Sequence, residues 1–62
     1  MCLSDAYEIN GDERTPLLHY VSGISVEGDT ITLTDMMGAR KIVTGTLKSV
    51  DLTKNLILIE AS

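Results

Sequence analysis

Along most of the chain apolar residues alternate with polar ones at a spacing of two, the signature of strands with one buried side. Ile24 and Val26 flank Ser25, Ile31 and Leu33 are set among Thr30, Thr32 and Thr34, and Val43, Gly45 and Leu47 share a face. Between these runs stand clusters with turn chemistry: Asn10-Gly11-Asp12, Glu27-Gly28-Asp29, Met37-Gly38 and Thr53-Lys54-Asn55. The pattern predicts strands at about 2–9, 14–19, 21–27, 30–35, 39–50 and 55–60. Pro16 could open one helical turn near residues 15–19, but that segment is too short to prefer helix. The 39–50 run is long for one strand, and Gly45 inside it suggests a bend or bulge that lets it serve two sides of a barrel.

Six short strands make a poor sandwich, whereas a small SH3-like antiparallel barrel removes exposed edges and fits the length. The expected fold is therefore all-β, one domain over residues 1–62. In the last strand Leu56, Ile57, Leu58 and Ile59 offer apolar side chains to both faces. One face can fill the barrel; the other needs a cover. A second copy of the chain would supply it, and so would the N-terminal strand of the same chain.

Length sharpens the first of these alternatives. A chain of 62 residues buries only ~60% of the surface its unfolded form exposes. With a single cysteine no intrachain disulfide can add to a thin core, so a homodimer is expected. The first residues carry neither a basic nor an apolar leader region, and no apolar run approaches a membrane span, so a cytoplasmic protein is expected.

Charge and composition remove whole classes of function. Nine acidic residues against five basic ones give a net charge of -4, which repels a polyanion, and two tyrosines without Phe or Trp offer little to stack on bases. Nucleic acid is a disfavoured partner. For catalysis, one His, one Cys and acids scattered through turns give no convergent acid–base or nucleophile set, and no Gly-rich phosphate loop is present. The chain does not read as an enzyme.

Three places remain where chemistry could reside. His19, among Leu17, Leu18, Tyr20 and Val21, reads as a surface or satisfied residue, and would assist a metal only if it lay near Cys2. Met36 and Met37 carry soft thioethers, yet beside Gly38 they read more simply as apolar gap-fillers. Cys2 is different, because a cysteine at the second position lies next to the terminal amine. With Met1 retained, that amine, the Cys2 amide nitrogen and the Cys2 sulfur span two fused five-membered chelate rings. With Met1 removed, the Cys2 amine and thiolate form one.

A tetrahedral zinc site wants more Cys and His than one chain supplies. A nitrogen–sulfur chelate held flat by an amide plane suits Ni(II) or Cu(II), and a thiolate in a reducing compartment disfavours Cu(II). Nickel fits best, with a second chain completing the coordination square about a two-fold axis. A small buried hydrophobe capping the first strand is the plainer reading of the same cysteine.

Met1-Cys2-Leu3, the run from Val26 to Asp35, Gly38, Val50-Asp51-Leu52 and the segment Asn55 to Glu60 together resemble the CooT family from end to end. The resemblance implies a homodimeric SH3-like β protein that binds Ni(II) through Cys2. It implies a store or metallochaperone delivering nickel for metalloenzyme maturation, with carbon monoxide dehydrogenase as the client. Family members have also been labelled RNA-binding on fold grounds, so the alternative is an RNA-binding or protein-interaction SH3-like module with no metal role. Met37 stands where the family commonly carries an aromatic, and His19 lies outside the matching pattern.

Overall fold

In a computed structural model, which describes residues 3–61, five strands close into a barrel in the order β1-β2-β3-β4-β5. They are β1 (Ser4–Asn10), β2 (Glu13–Glu27), β3 (Thr30–Asp35), β4 (Arg40–Asp51) and β5 (Leu56–Ala61). Consecutive strands pair antiparallel, while β5 closes the ring by lying parallel to β1, from Asp5 opposite Leu56 to Ile9 opposite Glu60. The barrel and the absence of helix among the described residues match expectation. Five strands stand where about six were expected, and the antiparallel meander is closed by one parallel pairing.

The missing sixth strand is a strand that bends without ending. Residues 14–19 and 21–27 are one element, β2, because Tyr20 takes a left-handed φ of 58° that turns the chain while pairing continues on both sides. Between the pairs Ser4–Val21 and Ala6–Leu18, β1 advances two residues and β2 three, so β2 carries an extra residue there. Such a bulge bends a strand and strengthens its twist. Up to Val21 β2 pairs with β1, and from Val21 onward it pairs with β3.

β4 is shared in the same way. Thr44 makes its last pair with β3 and Gly45 its first with β5, so Gly45 is the corner at which β4 passes from one side of the barrel to the other. The bulge lies further on, between Leu47 and Ser49, and not at Gly45 itself. Gly11, Gly28 and Gly38 all have positive φ in the turns where glycine was expected to act.

Alternation decides the core. Ile31 and Leu33 of β3, Ile57 and Ile59 of β5, Ala6 of β1 and Val21 of β2 are buried together, with Leu17, Leu18, Ile24, Val43 and Leu47 packed around them. Leu56 and Leu58 point the other way and are half-buried, their strand lying beside β1 of the same chain. No helix among the described residues is long and apolar enough to cross a membrane.

Candidate metal centre

Four segments meet at one end of the barrel. The first residues of β1 are there, and Ser4, itself buried, pairs with Val21, which pairs in turn with Asp35 at the end of β3. Asp35 leads into the turn to β4, and Tyr20 is tied to that turn because its carbonyl accepts from the Met36 amide at 3.0 Å. The turn from β4 to β5 joins them, since the Asp5 amide donates to the Asn55 carbonyl at 2.9 Å. Cys2, two residues before Ser4, lies outside the described residues.

Two aspartates hold the turns at this end. An Asp35 carboxylate oxygen accepts from the amides of Met37 and Ala39, at 2.8 and 2.9 Å. Asp51 does the same for Thr53 and Lys54, at 3.0 and 3.1 Å, and takes the Thr53 hydroxyl at 2.6 Å. Asp and Asn favour such turns because the side chain satisfies backbone donors that the departing chain leaves unpaired. The hydroxyl of Thr53 and then the amide of Lys54 stabilise the charged form of Asp51 and hold its pKa below the ordinary value of 3.8.

Apolar side chains ring this end. Tyr20, Met36, Met37 and Leu52 are exposed, Met37 to 85%. The two methionines therefore do not fill gaps in the barrel, as their neighbourhood in the sequence suggested. They stand on a turn whose backbone is already satisfied by Asp35. Between the bend of β2 and the end of β4 lies an open cavity of about 260 Å³, lined by Ser4, Val21, Ser22, Gly23 and Ile24 on one side and by Val50, Leu52 and Ile57 on the other.

His19 is exposed, as expected, but it is not alone. Its Nδ1 lies 3.1 Å from Oδ1 of Asp5. Asp5 was not singled out by sequence, and no local signal marks it: the two residues are 14 positions apart and meet only through the β2 bulge. No group of three or more His, Cys, Asp or Glu converges among the described residues.

Residues 1–60 match the model of a family described as the CO dehydrogenase accessory protein CooT. The chain belongs to the CooT family. A crystal structure assigned to CooT from Carboxydothermus hydrogenoformans is similar over 98% of each chain, with a TM-score of 0.91 and 26% sequence identity. No curated protein sequence matches. The family is thus one of accessory proteins to carbon monoxide dehydrogenase.

Proposed function

We propose that this protein binds Ni(II) as cargo and stores or delivers it for the maturation of carbon monoxide dehydrogenase. The Cys2 thiolate and neighbouring backbone nitrogens of two copies hold the ion at their interface. The observation that carries this reading is that the family match takes in the chain start, where the sequence has its only cysteine, while no three-ligand cluster forms among the described residues. The Cys2 thiolate with a neighbouring amine and amide makes a donor set that a square-planar Ni(II) accepts.

The shape of the barrel supports a shared site. Tyr20, Met36, Met37 and Leu52 place exposed apolar surface on the end from which β1 begins, so docking two such ends buries that surface and brings two chain starts together. Ni(II) titrated into the unaltered protein and into Cys2→Ser, with masses read under native conditions, tests the reading. One Ni(II) per dimer and a thiolate-to-nickel absorption band are expected, both lost in Cys2→Ser with the fold intact. Normal uptake by Cys2→Ser overturns the ligand assignment.

A further inference from the structure

We propose that the first half of β4, residues 40–44, is a docking edge to which an extended acidic segment of a partner protein adds as a further strand. The ring closes strand to strand, but β4 is divided between its two neighbours. Residues 40–44 pair with β3 alone, and β5 takes over only from Gly45, opposite Ala61. Main-chain groups along a paired strand point alternately to its two sides. The Gly45 amide donates to the Asp29 carbonyl on the β3 side at 2.9 Å, so Val43 and Lys41 also turn to β3 while Ile42 and Arg40 turn away. The N–H and C=O groups of Ile42 and Arg40 therefore face a side on which no described strand lies. Such a row is what an added strand pairs with.

The side chains along this edge select the occupant. Ile42, in the middle of the run, is 67% exposed. Arg40 lies on the same face of the sheet as Ile42 and Lys41 on the opposite one, because side chains alternate along a strand. Both bases are exposed, and neither joins an ion pair among the described residues. Two of the chain's five basic residues thus flank one short edge from its two faces. Charges on an edge strand repel indiscriminate pairing. A segment with acidic residues opposite Arg40 and Lys41 turns the same charges into attraction and fixes the register. One position further on it meets Ile42, where an apolar side chain completes the cross-strand pair. The first half of β2 also pairs on one side only, with β1, but Pro16 there has no N–H to give to a new ladder.

The test follows the amide resonances of the isotope-labelled full chain as the peptide acetyl-Thr-Val-Val-Glu-Glu-Thr-amide is added, whose two Glu fall opposite Lys41 and Arg40 in an antiparallel pairing. The Ile42 and Arg40 amides are expected to shift and to exchange more slowly with solvent, and the same peptide with Lys for Glu is expected to leave them unmoved. The double variant Arg40→Glu, Lys41→Glu is expected to bind the Glu peptide about ten-fold more weakly or worse and to accept the Lys peptide. Ile42→Pro removes an N–H that β3 does not use, so it is expected to keep the barrel and lose the peptide; should that variant unfold, the charge-reversed one decides. No shift on β4 at millimolar Glu peptide overturns the proposal, as does equal response to both peptides. Shifts at the same amides on concentrating the protein alone assign the edge to a second copy and overturn it too.

Discussion

The α-carbon of Gly45 faces the main-chain carbonyl of Glu60 so closely that a methyl group has no room between them. A Cβ there would collide with the carbonyl oxygen and stand 3.2 Å from its carbon. Backbone, unlike a flexible side chain, cannot swing aside, and the Gly45 amide is tied at 2.9 Å to the Asp29 carbonyl. Gly45→Ala is therefore expected to cost ~1–3 kcal/mol as an overpacking change. For a domain whose core supplies no more than ~3–5 kcal/mol, that is a large fraction. Urea unfolding followed by circular dichroism measures it, and a midpoint unchanged from the parent would show that the corner is not the constraint proposed.

Leu33 and Ile42 separate the two faces of the same sheet. Leu33 is fully buried in β3, whereas Ile42 of β4 is 67% exposed. Leu33→Ala removes packing on all sides and is expected to cost ~2–5 kcal/mol, enough to leave much of the population unfolded. Ile42→Ala is expected to stay within ~0.5 kcal/mol of the parent. Equal losses at the two positions would contradict the inward and outward assignment of the strands.

Much of this barrel was legible in the sequence because its signals are local. Thr30 to Thr34 alternates cleanly, and Ile31 and Leu33 are the buried residues it announced. Gly11, Gly28 and Gly38 mark turns because a left-handed backbone is cheapest for glycine. Tyr20 was illegible for the converse reason. Nothing in a tyrosine announces positive φ, so β2 read as two strands separated at its bend. The parallel pairing of β5 with β1 was hidden as well, since it depends on where a closed ring finally meets itself. At the candidate site, position in the chain gave Cys2 its interest, while Asp5 became relevant only when a bulge carried His19 to it.

Tyr20 offers a direct test of that bend. A non-glycine residue in the left-handed region costs ~1–2 kcal/mol, and glycine removes the cost while adding ~0.5–1 kcal/mol of unfolded-state entropy to overcome. With its side chain 61% exposed, Tyr20 loses little packing on truncation, and its carbonyl bond to Met36 survives any substitution. Tyr20→Gly is expected to be neutral or slightly stabilising. Tyr20→Val is expected to be destabilising by ~1 kcal/mol or more, because branching at Cβ tolerates positive φ worst. The order of the two urea midpoints is the measurement, and a valine variant at least as stable as the glycine one would mean that the bend is not left-handed.

Asp51 links the turn before β5 to acidity. Its folded-state pKa lies below the ordinary 3.8, first because the Thr53 hydroxyl donates to its carboxylate and then because the Lys54 amide does. A group whose pKa is depressed by folding binds its proton more readily in the unfolded chain, so stability rises with pH across the interval between the two values. The contribution is complete above 3.8 and disappears as pH falls through the lower, folded value. Asp51→Asn is expected to flatten that part of the stability profile and leave the slopes at higher pH unchanged. Thr53→Val, which removes the hydroxyl donor but keeps the Thr53 and Lys54 amides, is expected to flatten it partly. Urea midpoints taken from pH 6 down to the acid transition measure both, and a profile in Asp51→Asn as steep as the parent's below the ordinary carboxylate pKa would assign the acid sensitivity to other carboxylates.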